Sequence, residues 1–138
     1  MKRILLVGAL LFAIVTQQFA QTKPYNVVFD LTTGDSATHQ RVIRWINGIL
    51  AGYPDAKIEV VFYGKALPMV ETAQSSVASD VKRLAAGKNV IFTVCEQTMK
   101  IHNVEKNMLI PGVKIVPDGI YELISRQAEG YGYIKVTN

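Results

Sequence analysis

The sequence holds one cysteine, Cys95, in 138 residues. A single thiol cannot close a disulfide within the chain, so the core must be held by apolar burial. Histidine is scarce too. His39 and His102 stand far from each other and lack metal-ligand spacing with Cys95, so no metal site is expected. Like charges never run beyond a pair, as at Lys82-Arg83. That leaves no basic stripe for nucleic acid. Repeats, low-complexity stretches and domain linkers are absent as well. Only one apolar run is long, Ile4 to Val15, and its 12 residues fall short of the roughly 20 that span a bilayer.

That run belongs to the opening "MKRILLVGALLFAIVTQQFAQTK". A basic pair, Lys2-Arg3, precedes it, and polar residues lead to Ala20. This is the layout of a secretory signal peptide over residues 1–20, with cleavage after Ala20. Gln18 at the third position before the cut departs from the usual small residue. An uncleaved anchor is the alternative. No cysteine follows the run, which argues against a lipid anchor. The mature chain, 21–138, is then a single domain of 118 residues, periplasmic or secreted, with no membrane contact after cleavage. Losing Lys2 and Arg3 leaves 13 basic residues against 11 acidic ones, so the apparent basicity nearly vanishes.

The mature chain alternates strand-like and helix-like segments. "YNVVFDL" at Tyr25 to Leu31 reads as a strand, followed by a turn and a helix capped by Asp35 or Ser36. Its stripe is Val42, Ile46, Ile49 and Leu50, with Ile43 and Trp45 beside it. "KIEVVFY" at Lys57 to Tyr63 is a second strand. Lys65 to Ser76, interrupted by Pro68, has no clear period. Val77, Val81, Leu84 and Ala85 make another helical stripe. "NVIFTV" at Asn89 to Val94 is nearly all apolar, which predicts a central strand. A short helix follows Cys95. Val113 to Val116 is a fourth strand, Asp118 caps a last helix, and Tyr131 to Val136 is a fifth strand. Alternation of this kind predicts an α/β fold, a parallel sheet with helices on both faces.

In such a sheet every strand-to-helix loop falls at one edge, where ligands bind. Four segments converge there: Leu31 to Ser36, Tyr63 to Lys65, Cys95 to Thr98, and Pro117 to Gly119. Cys95 becomes the first residue after a strand, beside a helix N-terminus that favours a thiolate. A lone cysteine is often plain core packing, but "VCEQTM" turns polar at once. His102 stands seven residues on, roughly 10 Å of helical rise away, too far to bond the thiol. His39 lies at the correct edge and could approach from another loop. Glu96 would raise the thiol pKa only if it pointed inward. Lys65 could supply positive charge. Met99, four residues on, reads as packing.

The segments "VVFYGKAL", "FTVCEQTM", "LIPGVKIVPDGIYELISRQ" and "EGYGYIKV" together resemble the DsrE/DsrF-like sulfur-relay family, in particular its exported members. The resemblance covers about Tyr25 to Lys135. The cysteine after the third strand and the closing Gly-Tyr-x-Tyr-Ile are its most specific parts. It implies a three-layer α/β/α domain with a five-stranded, mainly parallel sheet, assembled into homo-oligomers. It implies persulfide chemistry at Cys95 with a sulfur donor or acceptor, small molecule or protein, as partner. It points to Gly34, Tyr63, Gly64, Lys65 and Thr98 as neighbouring binding residues. No cofactor is expected. A signal peptide departs from the cytoplasmic relay setting, and no second cysteine is present to resolve a persulfide. Two other readings stay open. One is a non-catalytic binding or assembly module of the same fold. The other is a flavin or phosphate binder, drawn from "LTTGDS". Leu31 stands there where a hydroxyl is wanted, and Asp35 would repel phosphate.

Overall fold

The computed structural model describes residues 24–138. The signal peptide expected over residues 1–20 and the start of the expected mature chain lie outside the described residues. Five strands and four helices follow in order: β1 (Asn26–Leu31), α1 (Ser36–Gly52), β2 (Lys57–Phe62), α2 (Ala78–Ala85), β3 (Val90–Cys95), α3 (Glu96–His102), β4 (Lys114–Val116), α4 (Gly119–Ala128) and β5 (Gly132–Val136). Asp35 caps α1, its carboxylate accepting from Thr38 N at 2.8 Å. Asp118 caps α4 in the same way, accepting from Ile120 N at 2.8 Å. Each cap satisfies a backbone donor that the first helical turn leaves unpaired.

The sheet runs in the order β4-β3-β2-β1-β5, and every neighbouring pair is parallel. The central strand is therefore β2, not β3; the apolar third strand is interior but lies next to the edge. The chain steps from β1 through β4 in one direction, then returns to the far side of β1. Parallel crossovers are right-handed, so reversing direction moves the connecting helix to the opposite face. That connection is α4. The larger core lies on the α1 and α2 side and includes Phe29, Phe62 and Phe92, all essentially buried. Burying such a ring is worth about 1.5–3 kcal/mol. Among the described residues, the α4 side holds only Val28, Val61 and Leu123 as a buried apolar cluster.

Two sequence expectations change in the packing. Trp45 of α1 does not join the core but remains 41% exposed. The unreadable stretch from Lys65 to Ser76 is ordered by burial rather than by period. Ala66, Leu67, Met69 and Val70 are buried around a short turn at Leu67–Met69. Backbone bonds tie this segment to the one after α3, as from Ile110 N to the Val70 carbonyl at 2.9 Å.

Candidate functional site at Cys95

Strand alternation sorts the residues of the α4 face into rows across the sheet. The register aligns Glu59 with Val28 and Tyr133, and Thr93 with Val61, Asp30 and Lys135. One step further toward the C-terminal edge comes Cys95, aligned with Val116. Tyr63 follows Phe62, whose partner is Val94, so it extends the same row beside Cys95. This face thus carries the thiol together with two buried carboxyls.

Cys95 is the last residue of β3 and the N-cap of α3, one residue earlier in structural terms than the sequence implied. It is 7% exposed, more covered than a loop position would be. Its surroundings are nonetheless not those of a core thiol. The first residue of α4, Gly119, packs directly against it. A Cβ on Gly119 would lie 3.1 Å from Cys95 Cβ, 3.3 Å from Val61 Cγ1 and 3.8 Å from the sulfur. Burial pushes the thiol pKa up. That is outweighed by the Gly119 N–H, the Thr98 N–H and hydroxyl, and the Gln97 N–H, which leave the thiol more acidic than usual. Cys95 makes no capping bond to the first turn of α3, and the lowering is shared among several N–H groups that face the sulfur. Two helix N-termini, those of α3 and α4, therefore meet at one sulfur atom.

The same face of the sheet carries a polar cluster on β1 and β5. Asp30, 3% exposed, accepts from Lys135 Nζ at 3.0 and 3.1 Å and from the Tyr133 hydroxyl at 2.5 Å. Lys135 Nζ also reaches Thr32 Oγ1 at 3.4 Å and lies 5.5 Å from the centre of the Tyr63 ring. Tyr63 has its pKa pushed up to about 12, first by burial and then by hydrogen bonding to Asp30. It is a proton holder, not a base. Deeper on the same face, Glu59 is 1% exposed and takes the Thr93 hydroxyl at 2.5 Å. Arg126 of α4 lies against Glu59 Oε2. The Arg126 Nε–H is given to Glu122 at 3.0 Å, so Oε2 has an ionic neighbour but no aligned donor. Burial raises the Glu59 pKa; the Thr93 bond and Arg126 only partly oppose it.

Of the residues expected to bind, Thr98 faces the sulfur, whereas Tyr63 extends the row beside Cys95 but meets Asp30 and Lys135. Gly34 and Gly64 instead hold two loops together. A Cβ on Gly34 would lie 2.8 Å from the Lys65 carbonyl oxygen, and Gly64 has φ +62° with Lys65 N bonded to the Thr32 carbonyl at 2.9 Å. Lys65 lines a separate cleft that does not include Cys95. His39 is buried and braces the first loop, its Nε2 2.8 Å from the Thr33 carbonyl. His102 lies at the far end of α3, exposed. Glu96 pairs outward with Lys100 at 3.2 Å. Asp30 and Lys135 escaped the sequence reading, which brought Gly119 to this edge without giving it a role. Gly119 did leave a signal: a glycine directly after a capping aspartate has no helical reason to be there, and marks a close approach.

The model of the DsrE/DsrF-like family matches residues 26–136. The chain belongs to that family. Three solved structures share the fold. A protein of unknown function from Methanobacterium thermoautotrophicum, MTH1491, is 28% identical with a TM-score of 0.74, covering 80% of this chain and 98% of its own. The ychN protein from E. coli is 14% identical with a TM-score of 0.67, covering 81% and 98%. BT1422 from Bacteroides thetaiotaomicron, of unknown function, is 15% identical with a TM-score of 0.58, covering 85% and 99%. At those identities the last two speak for the fold alone. No curated protein matches the chain. Membership in the family suggests a sulfur-relay role.

Proposed function

We infer that this DsrE/DsrF-like protein handles sulfur outside the cytoplasm, carrying it as a persulfide on Cys95. One observation carries the reading: N–H groups from two helix starts face the sulfur and favour its thiolate. The thiolate would attack the outer sulfur of a donor persulfide, R–S–SH. A new S–S bond forms at Cys95, the donor's S–S bond breaks, and the donor leaves as the thiolate R–S⁻. The same N–H groups would then hold the charge of the bound persulfide.

A second reading has its own support. Cys95 is 7% exposed, while Ile120, Tyr121 and Ile124 of α4 are each more than half exposed. A non-catalytic assembly module would bury the latter in a homo-oligomer and leave the thiol inert. Intact-mass measurement separates the two. After incubation with glutathione persulfide, sulfur-sized additions should appear, vanish on reduction, and be absent in Cys95→Ser. A thiol that reacts only after unfolding sinks the carrier reading. Export rests on the Lys2-Arg3 start, the apolar run and Ala20. N-terminal analysis of protein from its native host should find Gln21 first; an intact Met1 would remove that part of the proposal.

A further inference from the structure

A cleft of about 430 Å³ opens at the C-terminal sheet edge, between the Lys65 to Gln74 segment and the end of α3. It is within the size range of small-molecule sites. Glu71 lines it and is 7% exposed. Its Oε2 accepts from Gln74 Nε2 at 2.7 Å, its sole side-chain hydrogen bond among the described residues, which leaves Oε1 without a protein donor. Among the described residues no Lys, Arg or His pairs with Glu71, and no carboxylate pairs with Lys65 on the rim. A buried carboxyl group with no cation beside it is costly unless something supplies one. The other two buried carboxyls among the described residues have that partner, Lys135 for Asp30 and Arg126 for Glu59. Glu71 is the exception: Lys65 and His102 line the same cleft, but neither forms an ion pair with it. The end of α3 adds to the preference. Asn103, held at φ 55° as its C-cap, lines the cleft beside the carbonyl end of the helix, which favours positive charge.

We propose that this cleft binds a small zwitterion of dipeptide size, its ammonium on Glu71 and its carboxylate on Lys65. The site is separate from Cys95 and does not depend on the sulfur reading. The full mature protein would be titrated with L-alanyl-L-alanine, with n-butylammonium chloride and with sodium butyrate, following backbone amide shifts. The dipeptide should give saturating shifts at Gly64, Glu71, Gln74 and Asn103. Butylammonium should bind more weakly at the same residues, and butyrate not at all. Glu71→Gln should weaken the dipeptide and butylammonium alike, by roughly tenfold or more. Lys65→Ala should remove only the advantage of the dipeptide over butylammonium. Butyrate binding as well as butylammonium, shifts centred away from the cleft, or no saturation by any probe at tens of millimolar would each overturn the proposal. Should Glu71→Gln fail to fold, the contrast between butylammonium and butyrate on the wild-type protein and the Lys65→Ala result decide it.

Discussion

Gly119→Ala tests how the acidity of Cys95 is made. The added methyl would lie 3.1 Å from Cys95 Cβ and 3.3 Å from Val61 Cγ1. Comfortable carbon contacts begin near 3.5 Å, so α4 must back away by a few tenths of an ångström. Overpacking of this kind costs about 1–3 kcal/mol, while replacing glycine in a helix returns up to about 1 kcal/mol. The variant should therefore fold, with a net loss of roughly 0–2 kcal/mol. The effect on the thiol is the sharper readout. The Gly119 N–H is the foremost group lowering the Cys95 pKa, and a hydrogen bond to a charged group is worth about 1.5–3 kcal/mol. Losing part of it, about 1 kcal/mol, cuts the thiolate fraction roughly fivefold below the midpoint. The assay is the rate of alkylation by iodoacetamide as a function of pH. The midpoint should move up. If the shifted helix merely uncovered the sulfur, the plateau at high pH would rise with no change in midpoint. An unmoved midpoint in a folded variant refutes the argument that α4 sets the thiol. The stability sign follows. A lowered thiol pKa stabilises the fold fully above the ordinary value of 9.0 and loses that support as pH falls through the folded value. Gly119→Ala should flatten that dependence.

Asp30→Asn should cost about 1–3 kcal/mol, because it weakens the acceptor for Tyr133, Tyr63 and Lys135. The Tyr133 pKa, held at about 12 first by its Asp30 bond, should fall toward 10.0, and Tyr63 should fall less because burial is its larger cause. Raised phenol pKa values support the fold below pH 10.0 and lose that support as pH rises toward about 12. Ultraviolet phenolate titration and alkaline unfolding check both, and equal falls at the two tyrosines would contradict the assignment. Gly48→Ala, in α1 with nothing within 4 Å of its added methyl, should raise stability by about 0.5–1 kcal/mol. It also lines a groove with Trp45, Tyr53 and Ile134, so light scattering on the same variant tests whether copies associate through that face.

Much of the fold was readable because strands and helices carry different periods. Val42 and Ile46 fall in the α1 stripe the sequence predicted, and all five strands fall within a residue or two of their expected places. What the period could not give was order across the sheet. An apolar run such as Val90 to Val94 looks the same in a central strand and in one beside an edge. Position along the chain was enough to bring Cys95, Thr98 and Tyr63 to one edge of the sheet. It was not enough for Asp30 and Lys135, which are about a hundred residues apart and meet only through the β1–β5 pairing. Lys65 lies at the expected edge, but a loop there still has two sides, and Lys65 lines a cleft that does not include Cys95.

The reversal of chain direction after β4 gives α4 a face of its own, with few apolar residues to grip. It is fixed at one end by Gly119 against Cys95 and along its length by Arg126 against Glu59. Moving the second anchor should therefore be felt at the first, although Arg126 does not touch the sulfur. Arg126→Leu leaves Glu59 buried without its cation. Breaking such a pair costs about 3–5 kcal/mol when both groups are buried. Arg126 is 23% exposed and also serves Glu122 and Glu129, so about 2–3 kcal/mol is the expected loss. The raised Glu59 pKa fixes the sign with pH. Below the ordinary value of 4.5 the carboxyl is neutral folded or unfolded, and the penalty appears as pH rises through the folded value. The loss in Arg126→Leu should shrink in acid, and adding Glu59→Gln should recover part of it at neutral pH. If α4 is what holds the N–H groups on Cys95, the alkylation midpoint of Arg126→Leu should rise, and the double variant should bring it part of the way back. A midpoint that ignores both changes would mean that Gly119 is held by Asp118 and the β4 loop alone, and that α4 carries no coupling from its far anchor to the sulfur.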